Sequence, residues 1–241
     1  RMSLLRLIAR LDVKGLNVVK GICFEGLRVV GTPEALARKY AEEADEILFV
    51  DTVASLYGRN QLTALLERTA EDVFIPITVG GGIASRADAK RLLDAGADKV
   101  ALNTAALRTP ALVRELSDYY GSQAVVVAIE AKRVDGGWEA YIENGRTRTG
   151  KDAIRWAQEA VGLGAGELIV TSVDQEGTKR GFDLELVRAI APCVAVPCVA
   201  GGGAGRLDHI RAVIEEAQAD AVALASVLHY GLLTIGEVRA A

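Results

Sequence analysis

One interval recurs along this chain and limits how it can fold. The glycine triplet in TVGGGI has a near copy in VAGGGAG, and Gly82 and Gly203 lie 121 residues apart (203 − 82) in a sequence of 241 residues. Glu46 and Glu167 are separated by the same interval (167 − 46), and the tail GADKVALNTA is matched by QADAVALASV. Four successive elements that recur at one period indicate two similar halves in tandem.

Short apolar runs alternate with amphipathic segments in both halves. The runs are aliphatic or β-branched and apolar on both faces, which is typical of strands in a buried parallel sheet. They predict strands at 6–12, 46–51, 76–79, 98–102, 124–130, 167–171, 197–200 and 220–224. The segments between them predict helices, with Thr32 and Ser85 as N-caps and a second Thr–Pro start at Thr109. Eight strands, each followed by a helix, predict an α/β fold: one (β/α)8 TIM barrel domain over residues 1–241, built from two half-barrels.

Charge and composition argue against several classes of function for this chain, among them nucleic-acid binding, membrane insertion and metal binding. The net charge of −4 argues against nucleic acid or a membrane surface as partner, and no apolar run approaches the roughly 20 residues of a membrane helix. The first residues lack the apolar core and cleavage site of a signal peptide, so a cytoplasmic protein is expected. Cys23, Cys193 and Cys198 form no CxxC pair, and His209 and His229 have no neighbouring ligand at metal-binding spacing. We therefore expect reduced thiols, structural or surface histidines, and neither a metal nor a cofactor.

Two long segments interrupt the alternation of strands and helices. Residues 13–31 follow the first strand and residues 131–149 follow the fifth, at equivalent places in the two halves. We expect both to be loops, the second with a hairpin-like stretch in GGWEAYIENG. Segments that follow barrel strands lie on the C-terminal face, where barrels form their active sites, so both are predicted to be binding loops or lids.

Glycine triplets at strand ends are typical of phosphate-binding turns. Glycine lets backbone N–H groups approach a ligand closely, and such groups at a helix N-terminus favour an anion. Each triplet is followed, one strand later, by small polar residues; the two sets are Gly81, Gly82, Asn103 and Thr104, and Gly202, Gly203 and Ser226. Two such sites on opposite sides of one barrel mouth predict a ligand phosphorylated at both ends. The alternative is that each triplet only makes a tight turn between strand and helix.

Two carboxylates end otherwise apolar strands. Asp12 ends the first predicted strand and Glu130 the fifth, again at equivalent positions. A carboxylate at the end of an apolar strand is costly unless it faces a polar pocket. Two carboxylates across one mouth can divide acid and base roles, because their surroundings can separate their pKa values. The alternative is that each pairs with a neighbouring lysine, Lys14 or Lys132.

The motifs together resemble a known family, the cyclase subunits of imidazole-glycerol-phosphate synthase from histidine biosynthesis. The matching stretches cover essentially the whole chain and include LDVKG, FEGLR, ITVGGGI, GADKVALNTAA, GSQAVVVAI, KRVDGGW and GAGELIVTSVDQEGT. The resemblance implies a barrel that takes ammonia from a separate glutaminase subunit in a heterodimer. It also implies a small phosphorylated substrate, a bisphosphorylated ribulosyl-aminoimidazole nucleotide.

The resemblance carries roles onto matching positions. Asp12 and Glu130 correspond to the catalytic pair, and Asp98 to a position that faces the glutaminase. The implied ammonia gate is an ionic ring of Arg6, Glu46, Lys99 and Glu167; the alternative is a salt-bridge cluster that only stabilises the barrel. The implied phosphate and substrate residues are Lys20, Gly81, Gly82, Asn103, Thr104, Thr171, Asp174, Gly177, Gly202, Gly203 and Ser226.

Four residues depart from the family pattern around the mouth. Glu130 and Glu176 stand where the family has aspartate, Arg10 replaces a cysteine, and Gly201 replaces a serine. An added methylene moves a carboxylate by about 1–1.5 Å, and a misplacement of about 1 Å can lower a rate roughly 10²-fold.

With these four residues the chain resembles a paralogous branch of the family, the glycosyl-amidation proteins of surface-polysaccharide synthesis. The shared stretches are ARLD, SLYGRN at 55–60, IEAK and DQEGT. The branch implies ammonia delivery for converting a sugar acetamido group to an acetamidino group, with a separate sugar amidotransferase as a third partner. We rank this hypothesis first. The alternatives are a histidine-pathway cyclase in which Glu130 works in place of aspartate, and a non-catalytic partner that activates the glutaminase.

Overall fold

The computed structural model of this protein describes residues 5–54 and 62–241. Within them the twelve strands are β1 Arg6–Lys14, β2 Asn17–Ile22, β3 Glu25–Gly31, β4 Glu46–Asp51, β5 Ile77–Gly80, β6 Lys99–Leu102, β7 Val125–Val134, β8 Gly137–Ile142, β9 Thr147–Asp152, β10 Glu167–Ser172, β11 Cys198–Gly201 and β12 Ala221–Leu224. The α-helices are α1 Pro33–Ala41, α2 Leu62–Thr69, α3 Arg86–Asp94, α4 Thr104–Arg108, α5 Ala111–Tyr120, α6 Ala153–Gly162, α7 Leu184–Ile190, α8 Leu207–Glu215, α9 Ser226–His229 and α10 Ile235–Ala240.

Eight of these strands close into a parallel barrel. Their order is β1, β4, β5, β6, β7, β10, β11 and β12, and the barrel closes where β12 pairs with β1 in parallel. The eight predicted strands correspond to these eight, with small shifts at their ends and with β1 and β7 running several residues further. The (β/α)8 fold is therefore confirmed. Continuous aliphatic runs form these strands because both of their faces are buried.

The two faces of the barrel strands serve different cores. Outward side chains pack under the helices in one large cluster that includes the fully buried Trp156. Inward side chains form a second, smaller cluster whose members are Ile8, Leu48, Ala101, Val126, Ile169, Val199, Ala221 and Ala223. The barrel interior is thus apolar at mid-height, between the two ends that carry charged groups.

The two segments predicted to be loops are antiparallel extensions of the sheet. β1 runs on to Lys14 and pairs with β2, which pairs with β3; β7 runs on to Val134 and pairs with β8, which pairs with β9. The tight turns contain Gly15 and Gly136, both in the left-handed backbone region that glycine adopts readily. The expectation of a loop was wrong for residues 13–31, because these short strands contain polar residues and glycine and lack the apolar signal of the barrel strands. The hairpin-like stretch expected in GGWEAYIENG contains β8 and part of the turn after it.

The predicted helix starts agree with the structure in two of three cases. Thr32 and Ser85 are N-caps, and the Ser85 hydroxyl accepts a hydrogen bond from the backbone N–H of Asp88. The third helix begins at Ala111 with Pro110, rather than Thr109, as its N-cap. Along the described ranges no helix is long and apolar enough to cross a membrane. The SLYGRN stretch at 55–60 lies outside the described residues.

Candidate functional site

Four charged side chains form a ring at the N-terminal end of the barrel. The Lys99 ammonium lies 2.8 Å from a Glu46 oxygen and 3.2 Å from a Glu167 oxygen. Arg6 lies 3.4 Å from Glu46 and also pairs with Glu167, so cations and anions alternate around the axis. Each residue begins its strand, and strand starts meet at one end of a parallel barrel. The structure therefore joins all four residues of the predicted gate in one ring, while their role in admitting ammonia stays a prediction.

Asp98, predicted to face the glutaminase, makes a hydrogen bond within the barrel that the sequence did not indicate. Its carboxylate accepts a hydrogen bond of 2.8 Å from the backbone N–H of Ile77. Asp45 and Asp220 do the same for Leu7 and Cys198. Asp98 thus ties two neighbouring strands at the end of the barrel, and its side chain is also exposed beside the ring.

A buried network of charges occupies the C-terminal mouth. Asp12 accepts hydrogen bonds from Arg10 Nε at 2.9 Å and from Lys20 Nζ at 3.0 Å. Lys20 lies on β2, which pairs with β1 in the first hairpin and so runs back beside it. Lys20 also pairs with Glu176. The ion pairs of Asp12 are therefore with Arg10 and Lys20, not with Lys14.

The network keeps Asp12 ionised. Burial alone would raise the pKa of Asp12, but the charges and hydrogen bonds of Arg10 and Lys20 outweigh it and hold the pKa well below its usual range. Burial also lowers the pKa of Lys20, an effect that the charge of Asp12 opposes. Asp12 thus stays negatively charged throughout the neutral pH range.

Glu130 has the opposite electrostatic setting. Its side chain is only 8 % exposed, and burial raises its pKa to about 7, although the nearby Arg10 charge and a hydrogen bond from the Gly145 N–H oppose the rise. The distance from the Gly145 nitrogen to Glu130 Oε2 is 2.8 Å. The alternative partner Lys132 instead lies 5.8 Å from the centre of the Tyr141 ring. One mouth carboxylate is thus ionised while the other exchanges its proton near neutrality, which suits an acid–base pair.

The first predicted phosphate site opens on a large cavity. Gly81, Gly82, Asn103 and Thr104 line a cavity of about 260 Å³ together with Glu130. A side chain at Gly82 would come within 2.5 Å of the Ala54 Cβ, in a backbone region that favours glycine. Among the described residues, the buried Asn103 Oδ1 has no hydrogen-bond partner. The site therefore has room for a ligand, and the Asn103 amide oxygen can accept a hydrogen bond from a ligand donor.

The second predicted phosphate site has far less room. Gly177, Gly202, Gly203 and Ser226 surround a cavity of about 10 Å³, which Arg10 and Glu176 also line. The buried Ser226 hydroxyl has no hydrogen-bond partner within the described ranges. The two sites are thus equivalent in sequence but unequal in volume.

Two other predicted substrate residues have different positions. Thr171 lies in the mouth, where its hydroxyl is 3.3 Å from Arg10 Nη1. The Asp174 carboxylate accepts a hydrogen bond of 2.9 Å from the backbone N–H of Arg133 on β7, which helps to hold the second hairpin. A contact of Asp174 with the substrate stays a prediction.

The sequence did not indicate that His229 and Tyr40 support strand β1 through hydrogen bonds. His229 Nε2 lies 3.2 Å from the Arg10 carbonyl oxygen, and its Nδ1 lies 2.9 Å from the Tyr40 hydroxyl. Burial lowers the pKa of His229 to about 4, so the ring is neutral, donates from Nε2 and accepts from Tyr40. These two hydrogen bonds hold in place the backbone of β1 that carries Arg10 and Asp12. No motif could reveal this arrangement, because its three residues are far apart in the sequence.

No group of three or more His, Cys, Asp or Glu side chains in the described parts of the chain is arranged to hold a metal ion. Comparison with known proteins gives two findings. The family described as "Histidine biosynthesis protein" matches residues 6–234. A protein of Legionella pneumophila named "Imidazole glycerol phosphate synthase subunit HisF" is 56% identical over 210 residues, which cover 86% of this chain and 99% of that protein.

Proposed function

This chain belongs to the histidine-biosynthesis protein family, and from this membership we propose that it is the cyclase-type subunit of an imidazole-glycerol-phosphate synthase. It would use ammonia from a separate glutaminase subunit and act on a bisphosphorylated ribulosyl-aminoimidazole nucleotide. The observation that carries the proposal is the pair of mouth carboxylates with separated pKa values, beside a cavity with a phosphate-type glycine turn. The name of the Legionella relative favours this activity over sugar amidation, the hypothesis that the sequence motifs placed first.

The two carboxylates have distinct roles in this proposal. Ammonia adds to the ketone carbon of the ribulosyl group, and the new carbon–nitrogen bond leaves the nitrogen with protons to lose. Asp12, kept ionised by Arg10 and Lys20, accepts one of them. The ketone oxygen leaves as water and needs protons, and Glu130 in its protonated form supplies one.

The opposite end of the barrel supports a route for ammonia. The ring of Arg6, Glu46, Lys99 and Glu167 lies on the axis, and the apolar interior cluster lies between it and the mouth. A neutral small molecule crosses such an interior at little cost, whereas a charged one must lose its hydration. On this end Phe74, which precedes β5, is 90 % exposed and Asp98 is exposed too, as expected of a docking face for the glutaminase.

Arg10 supports a second candidate, ammonia delivery for sugar amidation with a separate sugar amidotransferase. In the resembled cyclases a cysteine stands at this position, whereas here a buried arginine occupies the mouth and pairs with Asp12. Such a rebuilt mouth is compatible with a substrate other than the aminoimidazole nucleotide.

Turnover with external ammonium salt tests the proposal without the glutaminase. The substrate is the bisphosphorylated aminoimidazole nucleotide, and the proteins are the wild type, Glu130→Gln, Glu130→Asp and the exposed-site control Glu71→Gln. We expect turnover by the wild type and the control, a loss of at least about 10²-fold in Glu130→Gln, and about 10²-fold in Glu130→Asp because its carboxylate is withdrawn.

Other outcomes decide between the remaining hypotheses. If the wild type is inactive and the Glu130→Asp variant is active, the residues of the mouth no longer suit the histidine-pathway reaction. This outcome would favour sugar amidation. Inactivity of every variant, with stimulation of the glutaminase by the folded barrel, would favour the non-catalytic partner.

A further inference from the structure

Arg10 lies where the two predicted phosphate sites meet. Its side chain points into the barrel from β1, is 6 % exposed and lines both the cavity of about 260 Å³ and the cavity of about 10 Å³. Its guanidinium lies between Asp12 and Thr171 and adds a positive charge to that of Lys20, which also binds Asp12.

The guanidinium has hydrogen-bonding capacity left over. Of its five N–H groups, one on Nε binds Asp12, and one on Nη1 makes a long contact of 3.3 Å to Thr171. The remaining three, including both on Nη2, have no acceptor among the residues that the structure describes. Arg10 has no atom among the buried, unpartnered ones, so the free Nη2 group faces the cavity that this residue lines. The free N–H groups of Arg10 can therefore donate hydrogen bonds to an acceptor on a ligand, and the positive charge favours an anionic one.

The unequal cavities indicate where that anion lies. A volume of about 10 Å³ corresponds to about one water molecule, so the cavity at Gly203 and Ser226 does not admit a phosphate group. The larger cavity holds a phosphate at Gly82 and Asn103 under the proposed function, and Arg10 lies at its inner end. A second anionic group of the same ligand thus meets Arg10 before it reaches the smaller cavity.

We infer that Arg10 is a specificity-determining residue that binds the second anionic group of the substrate, a phosphate or a carboxylate, through its free N–H donors. The planar fork of arginine suits the two oxygens of such a group. Its Nε bond to Asp12 keeps the bound anion beside the proton acceptor. The inference rests on the proposed function in one respect, the phosphate in the larger cavity, and it departs from the sequence expectation that Gly177, Gly203 and Ser226 hold the second phosphate.

Calorimetric binding of three probes tests the inference without any turnover. The probes are ribulose 1,5-bisphosphate, 6-phosphogluconate and ribose 5-phosphate, which carry two phosphates, a phosphate and a carboxylate, and a single phosphate. We expect the wild type to bind at least one doubly anionic probe at least 10-fold more tightly than ribose 5-phosphate. Arg10→Met removes that advantage, about 10- to 100-fold, and leaves ribose 5-phosphate within about twofold. Arg10→Lys keeps part of it, and the surface variant Arg188→Met changes nothing.

The pattern of loss identifies the anion. Loss with the bisphosphate alone identifies a phosphate, loss with 6-phosphogluconate alone a carboxylate, and both outcomes support the inference. Unchanged or tighter binding of the doubly anionic probes to Arg10→Met overturns it, since the glycine turn at Gly203 would then be the second site. Equal loss of all three probes, or no binding of either doubly anionic probe by the wild type at millimolar concentration, also overturns it. An inactive enzyme that binds the probes as expected refutes the proposed reaction but not the role of Arg10.

Discussion

Replacing Glu130 by glutamine should stabilise the protein above neutral pH and have a smaller effect in mild acid. The pKa of Glu130 is about 7 in the folded chain and 4.5 for an ordinary glutamate. Between these values the folded state binds more protons than the unfolded state, so the free energy of unfolding falls as pH rises. At 1.36 kcal/mol per pKa unit the loss is about 3 kcal/mol, complete above pH 7. Glutamine does not titrate and therefore avoids this loss.

The variant must be compared with the wild type at each pH, because other groups titrate too. The pKa of His229 is lowered to about 4, so that residue makes the protein more stable as pH rises from about 4 to 6.5, opposite in sign to Glu130. Subtracting the wild-type curve cancels this contribution. Urea unfolding followed by circular dichroism at pH 5, 6, 7 and 8 supplies the difference, with the exposed Glu71→Gln as the control.

The expected difference rises from just under about 1 kcal/mol at pH 5 to about 3 kcal/mol in favour of Glu130→Gln at pH 8. A difference that stays flat over this range, or that favours the wild type at pH 8, would refute the argument that burial keeps Glu130 protonated. The assignment of Glu130 as the proton donor would then fail with it. A rise of similar size in the Glu71→Gln control would point to a general effect of net charge instead.

Two further substitutions test the ends of the barrel. Lys99→Met leaves Glu46 and Glu167 buried with Arg6 as their remaining partner in the ring, so the free energy of unfolding should fall by about 3 kcal/mol in urea titrations; a change within 0.5 kcal/mol, on the order of a surface substitution, would contradict this. Gly203→Ala puts a Cβ about 2.0 Å from a backbone oxygen and should lower Tm by at least several degrees, whereas Gly136→Ala, also at positive φ but with nothing within 4 Å, should cost only about 1 kcal/mol. Equal thermal shifts for the two alanine variants would show that the crowding at Gly203 is relieved by movement.

Much of the barrel was accessible from the sequence because it depends on local pattern. A strand buried on both faces needs a run of aliphatic residues, so the eight barrel strands could be located to within a few residues. The repeat of 121 residues (167 − 46) placed Glu46 and Glu167 at equivalent strand starts, and strand starts meet at one end of a barrel. The hairpin after β7 was indicated by GGWEAYIENG, whereas the one after β1 was expected only as a loop, because its short strands are partly polar and lack the aliphatic run of a barrel strand.

Only the tertiary structure decided the chemistry of the mouth. Lys20 meets Glu176 across 156 residues of sequence, and Arg10 meets Thr171 across 161, contacts that exist only because the barrel closes and the first hairpin folds over it. The protonation of Glu130 depends on how completely those elements exclude water, and the unequal volumes of the two glycine sites appear only in the folded barrel. Spacing along the chain specifies strands and their ends. Burial and charge–charge distances are properties of the closed barrel, and they set which carboxylate holds a proton.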